Sequence, residues 1–221
     1  MNTIRLLVAL LLLPSSTHQV DCRKVVKQAM PSSVLIHVIG YAVDKEGKDH
    51  KLGIGCSGTY IRSDVILTAA HCFQDYTPVK IFVRGPADKV GYKAVVVAQD
   101  VGKDLALLVV KGKHQYALLG PDPALGEDIV NIGSPMGFEF VVSQGVTALL
   151  AQRSKPFTGL YTVTTAFADH GSSGGGCFNM NGQLVGVNTL ILGFFGWAGL
   201  SMAVNRQTID QFLKENSIWL N

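Results

Sequence analysis

Residues 171–176 have the sequence Gly-Ser-Ser-Gly-Gly-Gly, which an ordinary core strand or helix would not use. Glycine adopts backbone dihedrals that other residues avoid and lets two backbones approach closely, so we expect a sharp bend here. A hydroxyl group in the middle of such a bend can be presented to a substrate as a nucleophile. A flexible glycine–serine loop would explain the same residues. A catalytic interpretation therefore requires a base and an orienting acid elsewhere in the chain.

The composition is that of a folded protein with a modest charge. Of the 221 residues, 48% are hydrophobic and 16% are charged, and the formal net charge is +3. This length suits one large all-β domain or two small ones. The lysines are scattered along the chain, so nothing predicts nucleic-acid binding. We also predict no cofactor and no metal site, and the sequence leaves the oligomeric state open.

The N-terminus has the features of a secretory signal peptide. Arg5 precedes a short apolar run from Leu6 to Leu13, and Pro14 and small residues follow. A positive charge, a short apolar core and small residues are typical of such leaders. A membrane-spanning helix would need about 20 apolar residues. We therefore predict a leader at residues 1–17 and a secreted or periplasmic protein that is not stably inserted in a membrane. The alternative is a short anchor or a buried helix.

Four cysteines are present, and an even number in an exported chain permits disulfides. Cys56 and Cys72 flank one short segment and are the favoured pair. Cys22 and Cys177 either pair with each other or stay free.

Short β-branched and apolar runs, separated by Gly, Pro and Asp, recur along most of the chain. This spacing is typical of small closed β-structures. The runs cover residues 33–41, 52–61, 65–68, 80–84, 92–98 and 105–110, and then 128–132, 140–151, 161–165, 176–179, 183–191 and 198–204. We predict an all-β fold of two tandem six-stranded antiparallel β-barrels with a short C-terminal helix.

The domain boundaries follow from the same pattern. We predict a first barrel at residues 18–111, a Gly- and Pro-rich linker at 112–127 and a second barrel at 128–205. The segment 206–221 contains Ile209, Phe212 and Leu213 at positions i, i+3 and i+4. That spacing predicts an amphipathic helix.

A candidate base and a candidate acid occur in the predicted first barrel. His71 follows an apolar strand and stands next to Cys72, so its ring should be held rigidly, as a general base requires. Asp104 precedes the apolar run Leu105–Val110, where it would be desolvated and directed inward. Asp100 is the rival acid. Taken alone, His71 could be a structural histidine and Asp104 a turn residue.

Together, these segments resemble the chymotrypsin-like (trypsin-fold) serine proteases. The residues Cys56-Ser57-Gly58-Thr59 and Leu67-Thr68-Ala69-Ala70-His71-Cys72 are similar to the histidine segment of that family, and Asp104-Leu105-Ala106-Leu107 is similar to its aspartate segment. Residues 171–175 match its Gly-x-Ser-Gly-Gly motif. The second half of the chain most resembles peptidases of the HtrA/DegP kind, in residues 125–137 and 199–204.

The resemblance implies a serine endopeptidase that acts on polypeptides, with His71, Asp104 and Ser173 as its catalytic triad. The backbone N–H groups of Gly171 and Ser173 would receive the oxyanion, and a disulfide between Cys56 and Cys72 would close the loop next to the base. Ser172 stands where the digestive branch has an aspartate, so we expect no activating cut beyond loss of the leader. HtrA-like relatives usually carry a PDZ domain, and we expect none here.

The predicted specificity pocket is lined by Phe167, by Ala168 and by the strand from Thr189 through Leu190 to Ile191, with Gly199 on its far wall. Such a pocket favours a small or medium apolar residue before the cut bond. Asp169, if turned inward, would instead favour Arg or Lys. The apolar run from Leu190 to Trp197 suggests a substrate-pairing edge or a hairpin against a partner.

Two other functions are compatible with this fold. One is a catalytically silent binding module, although such a module would be expected to have lost a member of the triad. The other is a protease that cuts itself or one dedicated partner.

Overall fold

The computed structural model describes residues 21–43, 45, 47–74, 77–153, 155, 157–192 and 199–218. The predicted leader at residues 1–17 lies outside these ranges, as do residues 193–197 of the apolar run that begins at Leu190.

The first half of the chain forms a short helix and a closed barrel. Helix α1 spans Cys22–Ala29, and the Asp21 side chain caps it by accepting a hydrogen bond from the Arg23 N–H. The strands are β1 Ser33–Val43, β2 Asp49–Arg62, β3 Val65–Thr68, β4 Thr77–Arg84, β5 Tyr92–Asp100 and β6 Leu105–Val110. They pair antiparallel in the order β1-β2-β3-β6-β5-β4, and the pairing of β1 with β4 closes the barrel.

The second half repeats this architecture. Its strands are β7 Asp128–Gly133, β8 Val141–Gln152, β9 Tyr161–Thr164, β10 Gly176–Phe178, β11 Leu184–Leu192 and β12 Leu200–Asn205. They pair antiparallel in the order β10-β11-β12-β9-β8-β7, and the pairing of β10 with β7 closes the second barrel. Helix α2, Arg206–Glu215, follows β12. The predicted fold of two six-stranded barrels with a C-terminal helix is confirmed.

Strands β3 and β6 are buried on both faces because they lie between two cores. Ala106 and Leu108 point into the core of the first barrel. Leu105 and Leu107 point the other way, into a cluster that includes residues of the second barrel and of both helices. This double burial explains why β6 is an almost continuous apolar run. It also places Asp104, directly before β6, in the region between the barrels.

The helices close this shared cluster. The side chains of Ile209, Phe212 and Leu213 are buried on one face of α2, as their spacing predicted. Val25 and Ala29 are buried in the same way on α1. None of the helices within the described residues is long and apolar enough to cross a membrane.

Candidate active site

His71 lies just after strand β3 of the first barrel. It belongs to a short 3-10 helix, Ala70–Phe73, that is separated from the end of β3 by one residue. A disulfide joins Cys72 of this turn to Cys56 of β2, 16 residues earlier in the chain. The predicted disulfide is therefore present, whereas Cys22 and Cys177 are free. Burial raises the pKa of the Cys177 thiol.

Asp104 accepts hydrogen bonds from both the backbone and the ring of His71. The His71 N–H donates to Asp104 Oδ1 over 2.9 Å, and His71 Nδ1 lies 3.0 and 2.9 Å from Oδ1 and Oδ2. The Asp104 side chain is fully buried, whereas the His71 side chain is 34% exposed. Because the carboxylate accepts at Nδ1, the Nε2 atom of His71 is left as the basic nitrogen.

A third group completes the surroundings of this carboxylate. The Thr189 hydroxyl, on β11 of the second barrel, donates to Asp104 Oδ2. We predicted Thr189 as part of the pocket wall and did not foresee this contact, for which the local sequence gives no signal. Asp104 also has a φ of 55°, in the left-handed region that Asp and Asn adopt more readily than other residues with a side chain.

The rival acid, Asp100, has a different partner. Its carboxylate accepts hydrogen bonds from the Lys103 backbone and from Lys103 Nζ, at 2.9 and 2.6 Å. Lys103 also donates to Glu215 of α2 over 2.8 Å. Burial by itself would raise the pKa of Asp100, but the hydrogen bonds from Lys103 outweigh it and lower that pKa. The structure therefore brings Asp104, and not Asp100, to His71.

The bend at residues 171–175 leaves two N–H groups on alternate residues without an acceptor in the described part of the chain. The N–H groups of Ser172, Gly174 and Gly175 donate to backbone carbonyls of Asp169, Asn188 and Ser172, at 2.8, 2.7 and 2.8 Å. The N–H groups of Gly171 and Ser173 have no acceptor within the described part of the chain. Gly171 has a φ of +97°, a conformation that favours glycine. Within the described residues, the bend that contains Ser173 therefore has two N–H donors without an acceptor.

The two serines of the bend differ in exposure. Ser172 is 4% exposed, and its Oγ accepts a hydrogen bond from the Asp169 N–H over 3.2 Å. Ser173 is half-buried. Its carbonyl accepts from the Ser57 N–H of the first barrel over 2.8 Å, which holds the bend against that barrel. Among the described residues, the hydrogen bonds of His71 reach Asp104 but not Ser173.

The residues predicted for the specificity pocket are only partly described. Phe167 is 40% exposed and Ala168 is buried. Gly199 is exposed, and a Cβ at this position would meet nothing within 4 Å. Leu190 and Ile191 belong to the backbone of β11, but their side chains lie outside the described atoms.

Asp169, the predicted alternative specificity residue, is half-buried. Its carboxylate accepts a hydrogen bond from the neighbouring His170 N–H over 2.7 Å. Within the described residues, no cluster of three or more His, Cys, Asp or Glu side chains could hold a metal ion.

Comparison with known proteins identifies a matching family. The trypsin-like peptidase domain family matches residues 56–187. The mitochondrial serine protease HTRA2 of Bos taurus is 32% identical over 208 residues, which cover 87% of this chain and 43% of the relative. A probable periplasmic DegP-like serine endoprotease of Pseudomonas putida (strain W619) is 34% identical over 167 residues, covering 73% of this chain and 34% of the relative. The chain thus spans less than half the length of these relatives.

Solved structures give the same fold. Two structures of the HtrA-type protease AlgW with a decapeptide have TM-scores of 0.81 and 0.78, and both are 19% identical in sequence. Each covers 89% of this chain, and the matches span 68% and 67% of the AlgW chains. The chain belongs to the trypsin-like peptidase family. This confirms the predicted resemblance to the trypsin-fold family and to HtrA/DegP relatives.

Proposed function

We propose that this chain hydrolyses peptide bonds through an acyl-enzyme intermediate, with Ser173 as nucleophile, His71 as general base and acid, and Asp104 as the orienting group. The observation that carries the proposal is the contact of His71 Nδ1 with the buried Asp104 carboxylate. A carboxylate in this position fixes the ring tautomer and stabilises the imidazolium that forms when the base takes a proton.

The steps follow from the groups present. Ser173 Oγ forms a bond to the scissile carbonyl carbon, and its proton passes to Nε2 of His71. The carbonyl oxygen becomes an oxyanion and accepts hydrogen bonds from the N–H groups of Gly171 and Ser173. The C–N bond then breaks as His71 gives the proton to the leaving amine. A water molecule attacks the acyl-enzyme in the same way, which releases the acid and restores Ser173.

The proposed preference is for a small or medium apolar side chain before the cut bond. Its support is the exposed Phe167 ring together with the apolar types of residues 190 and 191. The Asp169 carboxylate already accepts a hydrogen bond from the His170 N–H. This contact weakens its attraction for an Arg or Lys side chain of the substrate, which supports the apolar preference. We further propose an exported protein, from the predicted leader and from the word periplasmic in the name of the Pseudomonas relative.

Paired serine substitutions test the proposed mechanism. We expect Ser173→Ala to lower kcat by roughly 10⁵-fold or more, because no other group can form the acyl-enzyme. Ser172→Ala should keep most of the activity, since among the described residues the buried Ser172 hydroxyl has one hydrogen bond, from the Asp169 N–H. Peptide-library cleavage measures the activity, and thermal unfolding shows that both variants are folded.

A fluorophosphonate probe separates the enzyme from a silent binding module. The folded wild-type chain should form an adduct at Ser173, located by mass spectrometry. Absence of an adduct, or equal loss of activity in the two serine variants, contradicts the proposal. The same mass spectra reveal any cleavage of the chain by itself, the third function considered above.

A further inference from the structure

Ser57 is outside the proposed triad, yet three of its hydrogen bonds reach the second barrel, at the bend of residues 171–175 and at Ser134. This serine lies on β2 of the first barrel and is 1% exposed. Its N–H donates to the Ser173 carbonyl over 2.8 Å. Its Oγ donates to the Gly171 carbonyl over 2.8 Å and accepts from the Ser134 N–H over 2.9 Å. The hydroxyl thus serves as donor and acceptor at once.

These contacts fix every second peptide group of the bend. The carbonyls of Gly171 and Ser173 bond to Ser57, while the N–H groups of the same two peptides donate to Asp169 and Asn188. In the peptides that alternate with them, the carbonyls of His170 and Ser172 accept from the N–H groups of Met136 and Gly175. The N–H groups of these alternate peptides belong to Gly171 and Ser173 and have no acceptor among the described residues. Because a peptide group is planar, holding its neighbours and its carbonyl sets the direction of its N–H.

Ser57 itself is held on a rigid support. Its carbonyl accepts a hydrogen bond from the Thr68 hydroxyl over 2.7 Å. The preceding residue, Cys56, is joined by the disulfide to Cys72, which directly follows His71. The support for the bend and the support for the base are therefore one cross-linked piece of the first barrel.

We propose that Ser57 is a positioning residue that sets the direction of the two N–H donors toward the oxyanion, an inference that rests on the proposed function. Removing its hydroxyl would leave the Gly171 carbonyl and the buried Ser134 N–H without a partner. The peptide between Gly171 and Ser172 would then turn to regain hydrogen bonds. Its neighbours carry the two donors, so the turn would displace them from the position that the oxyanion occupies.

The test compares Ser57→Ala with Ser32→Ala and Ser57→Thr in the full chain. Ser32 is a matched control, because its fully buried hydroxyl donates to the Ala29 carbonyl over 2.7 Å, in the segment that links α1 to β1. Ser57→Thr keeps the hydroxyl. The substrate is a fluorogenic peptide with valine before the scissile bond, and the inhibitor is the peptide aldehyde of the same sequence, whose adduct carries the oxygen in the oxyanion position.

We expect Ser57→Ala to lower kcat by about 10- to 100-fold with KM changed less than threefold, because the donors act mainly on the transition state. Affinity for the aldehyde should fall in parallel with kcat. Ser32→Ala should keep its kcat, and Ser57→Thr should recover most of it. Thermal unfolding measures the folded fraction of each variant, and kcat is expressed per folded molecule.

An unchanged kcat in folded Ser57→Ala overturns the inference, and so does a loss that appears only in KM. Should Ser57→Ala not fold, Ser57→Thr decides: a folded but inactive protein rejects the role, and a retained kcat supports it. A wild-type chain that neither cleaves the peptide nor reacts with a fluorophosphonate rejects the proposed function itself. The two failures are therefore distinguishable.

Discussion

The two sides of the site are held by different kinds of contact. On the base side, two side chains of the first barrel meet, His71 and the buried Asp104. On the nucleophile side, residues 171–175 are held almost entirely by backbone hydrogen bonds and by glycines with positive φ at positions 171 and 174. The base side therefore depends on the chemistry of two side chains. The nucleophile side depends on the conformation of the backbone.

The difference also concerns which barrel supplies the support. The nucleophile bend belongs to the second barrel, but Ser57 of the first barrel bonds to two of its carbonyls. In return, the Asp104 carboxylate of the first barrel accepts from Thr189 of the second. Each side of the site thus depends on a contact from the other barrel. We expect substitutions on the base side to lower kcat and substitutions on the nucleophile side to lower the stability of the fold.

Of the three comparisons that follow, the one on the base side should show the largest effect. We expect Asp104→Asn to lower kcat by about 10³- to 10⁴-fold with the fold retained, because an amide has one accepting oxygen in place of two and its NH2 group favours the wrong ring tautomer. Asp100→Asn is the matched control and should leave kcat nearly unchanged. Steady-state kinetics on a cleaved peptide checks this, and equal losses in the two variants would reverse our assignment of the acid.

A glycine pair tests the nucleophile side, where we expect a loss of stability. A Cβ at Gly174 (φ +83°) would overlap Thr68 Oγ1 and the Ser57 carbonyl, whereas one at Gly126 (φ +79°) would meet nothing within 4 Å. Both alanine variants carry the cost of left-handed φ, about 1–2 kcal/mol. Overpacking adds roughly 1–3 kcal/mol to Gly174→Ala alone.

Urea unfolding measures the difference between these two glycine variants. Equal free energies of unfolding would mean that the bend is not packed tightly against the first barrel. The nucleophile side would then not depend on close packing of its backbone against the first barrel.

The smallest effect concerns Asp100, which stabilises the turn before Asp104. Burial opposes its charge, but the hydrogen bonds from Lys103 prevail and lower the pKa of Asp100. A lowered carboxylate pKa stabilises the folded state above the unfolded pKa of about 4, and this contribution is lost as the pH falls through the folded pKa. Asp100→Asn should therefore melt a few degrees (~2–4 °C) below wild type at pH 7.

In acid, the melting temperatures of wild type and Asp100→Asn should converge, because both then lack the charge. Thermal melts between pH 7 and pH 2 check this pattern. A gap that stays constant over the range would show that the Asp100–Lys103 pair does not stabilise the fold.

The sequence predicted the fold well because the barrel strands are short, apolar and separated by turn residues. The apolar spacing of Ile209, Phe212 and Leu213 likewise predicted the buried face of α2. The apolar strand that follows Asp104 favours Asp104 over Asp100 as the acid. That argument holds because β6 is buried on both faces, which is a consequence of barrel packing.

Other features had no signal in the local sequence. The Thr189 hydroxyl and Asp104 are separated by 85 residues, and Ser57 and Gly171 by 114. Serine and threonine occur throughout β-strands for reasons of packing and propensity, so neither residue type indicates a long-range partner. Only the closure of both barrels defines these pairs.

By itself, the sequence determined the strand pattern, the residue types of the candidate triad and the glycine-rich bend, because these depend on local periodicity and on the chemistry of single side chains. The tertiary structure decided which carboxylate meets His71, that Cys22 and Cys177 stay free, and which N–H groups of residues 171–175 lack an acceptor. The physical reason is that such contacts join segments that lie far apart in the chain or in a folded bend. Their distances are set when the shared core between β3, β6 and the second barrel packs, and not by neighbours in the chain.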